Sequence, residues 1–150
     1  MHPDEANPRL AFFRQHIGQD MSQSISPLGR WLNGTLRAAD PGLLTVDYLV
    51  REDLCNPAGV LHGGAAAAIM DDLIGVTVFS MGREYAYTSV NLNVDFLHAA
   101  RQGEIVTATA RVVRAGRNIV HVECIIQAQD GKLVAKAASN LIQTSAKIPV

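Results

Sequence analysis

The sequence predicts an α+β fold in which an antiparallel sheet wraps around one long central helix, and three observations predict it. Residues 65–79 form an alanine-rich run that is apolar almost throughout, as expected of a helix buried on all sides. The four segments after it alternate apolar and polar residues at period two, the mark of strands with one buried face. Short turns separate neighbouring strands, so they pair antiparallel, and a helix apolar all round needs such a sheet to cover it.

Each element has its own justification. Residues 1–30 are polar and mixed, with Leu10, Phe12, Phe13 and Ile17 spaced for one helix face before Ser24-Ile25-Ser26-Pro27 breaks the pattern. They are read as an N-terminal helix and connector ahead of a single domain over residues 31–150. Residues 31–39 and 43–50 flank Asp40-Pro41-Gly42 and read as two strands of a hairpin. After the helix, residues 88–96 place Val90, Leu92, Val94 and Phe96 on one face and Ser89, Asn91, Asn93 and Asp95 on the other. Residues 103–115 repeat this with Val106, Ala108, Ala110 and Val112, and residues 118–129 with Val120, Val122, Cys124, Ile126 and Ala128. Residues 132–143 follow Asp130-Gly131, a pair favoured as a two-residue hairpin loop.

Composition excludes several functions. The 150 residues make one domain without internal repeats. Thirteen basic and fourteen acidic residues are spread along the chain, a net charge of −1, which gives no electrostatic footprint for nucleic acid or an anionic membrane. The longest apolar stretch, 63–81, carries two aspartates, and the N-terminus lacks the basic-then-apolar layout of a secretion signal. A cytoplasmic protein is expected. Cys55 and Cys124 are then expected to be reduced thiols, and for Cys55 an inert role outweighs a nucleophilic one because no histidine is placed as its base. The histidines His2, His16, His62, His98 and His121 show no metal-ligand spacing, so no metal is expected.

Chemistry is concentrated between Asn56 and Asp71. Asn56-Pro57-Ala58-Gly59-Val60-Leu61-His62-Gly63-Gly64 puts polar groups and paired glycines at the mouth of the apolar helix. The helix carries Asp71 and Asp72, and ionised carboxylates are rarely buried without a reason, because desolvation costs several kcal/mol per ion. Asp72 lies about 100° around the helix from Asp71 and is expected to meet solvent, a cap or a subunit contact.

Element order and motif together resemble the hotdog fold, and specifically the PaaI-like acyl-CoA thioesterases, over roughly residues 31–143. The resemblance rests on Asn56, the His62-Gly63-Gly64 turn, Asp71 nine residues after His62, Ser89 eighteen residues after Asp71, and the strand ending Val112-Val113-Arg114-Ala115-Gly116-Arg117. It implies that the backbone N–H of Gly63 polarises a thioester carbonyl. That role agrees with physics, since the first N–H groups of a helix lack partners and the helix dipole favours negative charge there. The resemblance further makes Asp71 the nucleophile or the general base, with Ser89 supporting it, Asn56 orienting water or carbonyl, and His62 part of the same catalytic turn. Attack through an anhydride and attack by water both stay open. The CoA of the substrate is the only cofactor-like group implied. Gly64 is expected to contact the substrate or its CoA, and the CoA phosphates are expected at the basic corner of Arg114, Gly116, Arg117 and Asn118, with Arg83 and Arg101 as alternative phosphate partners. The chain departs from the family pattern at Leu97-His98-Ala99-Ala100, where an arginine followed by proline is frequent. Phe12, Phe13 and Trp31 are expected to shape acyl specificity together with the partner subunit.

One constraint needs no family. Gly63 and Asp71 are eight residues apart, about 12 Å along a helix rising ~1.5 Å per residue. One thioester group cannot touch both in a single chain. A two-fold dimer with central helices side by side, and two shared sites, is therefore expected; the resemblance adds pairing of dimers into a tetramer. Other readings stay open on the residues alone. Gly63-Gly64 can be a packing turn, Asp71 a structural acid, Ser89 a solvated residue with Thr88 supplying the hydroxyl, and the arginine corner a solvated turn. A hydratase/dehydratase using His62, or a non-catalytic acyl-CoA-binding module, are the alternative functions.

Overall fold

The computed structural model describes residues 6–148, so His2 and the extreme ends of the two expected segments lie outside it. The first helix, α1, spans Pro8–Gln15. Asn7 caps it by accepting from the Leu10 N–H, and Pro8 occupies the first turn, where its missing N–H costs nothing.

A second helix, α2 (Pro27–Leu32), was not expected. It takes Trp31 and Leu32 out of the first strand, and it starts where the pattern breaks. Ser26 is its N-cap, accepting from the Gly29 N–H at 3.1 Å, Pro27 fills the first position, and Asn33 ends it in the left-handed region at φ 50. Serine followed by proline is a helix start as well as a strand breaker. The first strand, β1, consequently runs Thr35–Asp40, and a turn with Pro41 and Gly42 (φ 67) leads into β2, Leu43–Leu49.

The central helix, α3, spans Gly63–Phe79, and after it come β3 (Tyr85–Phe96), β4 (Ile105–Ala115), β5 (Ile119–Ala128) and β6 (Leu133–Lys147). All six strands form one antiparallel sheet in the order β1-β2-β4-β5-β6-β3. The loop between β5 and β6 is longer than the two residues expected. Gly131 donates to the Ala128 carbonyl and the Ala128 N–H to the Lys132 carbonyl, so residues 129–131 form a three-residue loop with Gly131 at φ 85.

The core lies between α3 and the concave face of the sheet. Ile69, Met70, Leu73 and Ile74 of α3 are fully buried, as are Val106, Ala108 and Ala110 of β4 and Val120, Val122, Cys124 and Ile126 of β5. The small Ala108 and Ala110 let the helix approach the sheet closely. The helix is not buried on all sides, however. Gly64, Asp71 and Gly75 are exposed on its far side, four to seven residues apart and so on one stripe.

The two sheet edges differ. The outer side of β1 is covered by the chain before α2: the Gly18 N–H donates to the Leu36 carbonyl, Leu36 N–H to Gln19 and Met21 N–H to Gly34. Among the described residues, β3 pairs only with β6, and its other side is open. Ser89 pairs with Leu141 and Asn91 with Asn140, leaving Val90 inserted as a bulge. Leu92 and Val94 are half-buried against the core, whereas Val90, at the bulge, and Phe96, at the strand's end over the start of α3, are 60% and 59% exposed although both were expected inside. No helix among the described residues is long and apolar enough to cross a membrane.

Replacing Ile69 by Ala should destabilise the fold by about 2–5 kcal/mol, whereas Val113→Ala on the exposed sheet face should stay within about 0.5 kcal/mol. Urea unfolding of both variants checks this; equal effects would contradict the placement of α3 over the sheet.

Candidate active site

The start of α3 leaves two backbone donors, the N–H groups of Gly63 and Ala65, without an acceptor among the described residues, and Gly63 is the one beside the cavity at this end. His62 is the N-cap, in extended conformation (φ −63, ψ 136), and its Nδ1 accepts from the Gly64 N–H at 2.8 Å. With Nδ1 accepting, a neutral ring carries its proton on Nε2. His62 N–H donates to the Leu54 carbonyl, Leu61 N–H to Ala100 and Ala66 N–H to His62. Between these engaged donors the Gly63 N–H has no acceptor among the described residues. The Gly64 N–H is taken by His62, and Gly64 is exposed at the helix start.

Above Gly63 lies the Phe96 ring, whose nearest carbons would sit 3.3 Å from a Cβ added there. The cavity at this end, about 440 Å³, is bordered by Leu61, Gly63, Phe96, Leu97, His98 and Ala99. Phe96 was read from the strand alternation as core. The departure of residues 97–100 from the family pattern marked this stretch, since its side chains border the free N–H.

Asn56 builds the loop before the helix. Its Oδ1 accepts from the Ala58 and Val60 N–H groups at 3.0 and 3.3 Å, and its backbone closes the loop with Val60 and Gly59. The Nδ2 group is left as a donor. Cys55 donates its thiol hydrogen to the Arg51 carbonyl at 3.2 Å. Cys124 is buried, and burial pushes its thiol up to about 12.

The second cluster surrounds the two aspartates. Asp71 is exposed and opens, with Thr88 and Ser89 of β3, into a cavity of about 360 Å³. Asp72 turns away beneath α2, where its Oδ1 accepts from Ser26 Oγ at 2.5 Å. Of the surroundings expected for Asp72, the structure supplies the cap: Ser26 is the N-cap of α2. Burial raises the Asp72 carboxyl above its ordinary value, the Ser26 hydrogen bond opposes the rise, and the neighbouring charge of Asp71 adds to it.

The two clusters do not meet within one chain. Their cavities share no residue, and the helix between them separates Gly63 from Asp71 by about 12 Å. The structure thus brings Asp71 together with Ser89 and Thr88, and Gly63 with His62 and Gly64.

The corner between β4 and β5 is pinned from below. Arg83 donates to the carbonyls of Gly116 and Ala115 and to the Tyr87 hydroxyl, which donates to the Arg117 carbonyl. Arg83 is therefore engaged with the corner's own carbonyls. The exposed side chains of Arg114, Arg117 and Asn118 have no hydrogen-bond partner among the described residues, and Tyr87 joins this corner to the Asp71 cavity. Arg101 lies elsewhere, its backbone bridging to Val60 beside the Asn56 loop. None of Phe12, Phe13 and Trp31, expected to shape acyl specificity, lines the Asp71 cavity. Phe13 is core, Phe12 packs on His16, and Trp31 stacks with Arg51. Ile25, Leu28 and Phe79 line the Asp71 cavity instead.

Comparison with known proteins agrees with the fold. A family model described as "Thioesterase superfamily" matches residues 58–135. Acyl-coenzyme A thioesterase 13 of Homo sapiens is 29% identical over 103 residues, covering 68% of this chain and 74% of that protein. A Ralstonia eutropha structure described as a phenylacetic acid degradation-related protein is 31% identical, with a TM-score of 0.72 over 87% of this chain and 98% of that one. The PaaI protein of E. coli, at 20% identity, shares the fold, with a TM-score of 0.80 over 95% of this chain and 99% of that one.

The buried Asp72 has a consequence for stability. A carboxyl with a raised value binds its proton more tightly folded than unfolded, so it favours the folded state below 3.8, its ordinary value, and that advantage is lost as pH rises through the raised folded value. Asp72→Asn, which does not ionise, should therefore gain in melting temperature relative to the unsubstituted protein as pH rises across that window. A difference in Tm that does not vary with pH would contradict this.

Proposed function

The chain belongs to the thioesterase superfamily and is a thioester hydrolase, and we propose that it splits an aryl- or fatty-acyl-CoA into free acid and CoA at two sites shared across a dimer. The observation that carries the proposal is the pairing on one helix of an unpartnered Gly63 N–H at its positive end with an exposed Asp71 eight residues on. The name of the human relative supplies the CoA ester as substrate class.

Two features support the dimer. The β3 edge is open and exposes Val90 and Phe96, and an open apolar edge is a template for another strand. Gly64, Asp71 and Gly75 leave α3 bare on one side, where a second α3 running the opposite way would set Gly63 of each chain near Asp71 of the partner subunit.

In such a site the thioester carbonyl oxygen accepts from the Gly63 N–H. Charge grows on that oxygen as the carbon becomes tetrahedral, and a donor already fixed at a helix start stabilises it without reorganising. The open cavity beside Asp71 leaves room for a water and favours the general-base route. Water adds to the carbonyl carbon while one of its protons passes to the Asp71 carboxylate. The carbon–sulfur bond then breaks, and that proton leaves Asp71 for the departing CoA sulfur. Ser89 steadies Asp71 or the water, Asn56 Nδ2 donates to water or carbonyl, and His62 holds the turn through Gly64. Arg114, Arg117 and Asn118 receive the CoA phosphates, and the reaction needs no further cofactor.

Thiol release from phenylacetyl-, hydroxyphenylacetyl-, benzoyl-, hexanoyl- and palmitoyl-CoA tests the proposal. Asp71→Ala should lower kcat by about 10²–10⁴-fold with the fold retained; normal turnover in this variant would refute the role of Asp71. Gly63→Pro removes the N–H at a position where proline is tolerated and where His62 already has the extended conformation proline requires. It should cost about 10²–10³-fold. Mixing the two inactive variants and letting subunits exchange should restore about a quarter of the activity, since half the dimers then hold one intact site. No recovery after exchange would refute the shared site.

A further inference from the structure

We propose that α2 and the residue before its cap form the acyl-selecting wall of the site, with Ile25 and Leu28 contacting the distal part of an apolar acyl group and Asp72 holding the wall in place. The inference deepens the thioesterase reading and rests on it. The Asp71 cavity has two ends of different character. Asp71, Thr88 and Ser89 are polar, whereas Ile25, Leu28, Val76, Phe79 and Leu141 form an apolar end. A thioester with its reacting carbon beside Asp71 would direct its acyl chain towards that apolar end. Ile25 and Leu28 are 62% and 40% exposed in the chain, and contribute little to its own core.

The wall is tied down at both ends of α2: Arg51 donates to the Trp31 and Leu32 carbonyls at its C-terminus, and a tether to Asp72 holds its start, next to Ile25 and Leu28. Ser26 Oγ donates to Asp72 and accepts from the Gly29 N–H, and the Ser26 N–H donates to Ser24 Oγ at 3.2 Å. Gly29 allows α2 to sit flush on α3: a Cβ there would lie 2.8 Å from Asp72 Oδ2 and 3.0 Å from Ser24 Oγ. Asp72 is thus a positioning residue, one step along the helix from Asp71 and connected to the acyl end of the same cavity. The ligand class is an apolar acyl group long enough to reach α2, either a straight chain or an aromatic ring.

Calorimetry with CoA, S-hexyl-CoA and S-(2-phenylethyl)-CoA, which are stable to hydrolysis, tests this on the full chain. The unsubstituted protein should bind one or both thioethers more tightly than CoA, and the thioether with the larger gap identifies chain or ring. Ile25→Ala with Leu28→Ala should narrow that gap roughly tenfold, the effect of lost apolar contact in a selective pocket. Asp72→Ala should narrow it too, while Asp72→Asn, which keeps an oxygen for Ser26, should preserve it; loss of stability alone would weaken all three ligands equally. No gap in the unsubstituted protein, or a gap unchanged by the double substitution, would overturn the wall. A gap unchanged by Asp72→Ala would overturn the tether. Thiol release measured on the same preparation judges hydrolysis separately.

Discussion

The burial of one side of α3 against the concave sheet is the interaction on which the rest of the molecule depends. Ile69, Met70, Leu73 and Ile74 pack onto strands whose inward residues are small or β-branched. This contact fixes the helix both in depth and in rotation about its axis. Depth brings Gly63 beneath the Phe96 ring. Rotation decides that Asp71 faces outward while Asp72, about 100° further round, faces α2. The positions of both ends of the candidate site are thus consequences of core packing and need no contact of their own.

The two aspartates show how one helix gives neighbouring identical side chains different surroundings. Asp71 is open to solvent, and among the described residues no hydroxyl is hydrogen-bonded to it. Asp72 is half-covered and carries a short hydrogen bond from the cap of another helix, in a setting where burial disfavours its charge. A group that is to gain or lose a proton during a reaction is better left unengaged, and a group that is to hold a structural element is better tied.

Much of this was legible in the sequence. Period-two alternation located β3 through β6, and the alanine-rich run located α3, because these patterns follow directly from side-chain geometry along strands and helices. The spacing of Gly63 and Asp71 translated into distance because a helix rise is fixed. What was not legible depended on neighbours distant in the chain. Trp31 looked strand-like because its helix is defined by a cap at Ser26 and completed by contact with Asp72, forty-six residues away. Phe96 shares its face with Leu92 and Val94 but lies at the strand's end over Gly63 and outside the core, and Val90 is set apart by a bulge that has no local pattern of its own here. Arg83 looked free until the carbonyls of the β4–β5 corner folded over it.

The unequal edges of the sheet set a limit on assembly. At β1, residues 18–21 already occupy backbone groups that a further strand would need, so the sheet is sealed on that side. At β3 it is open. Two chains that join through their open edges produce a longer sheet with a sealed strand at each extremity. Such an assembly is self-terminating: the first association removes the sites for a second, and strand addition ends at two copies without a fibre as its endpoint.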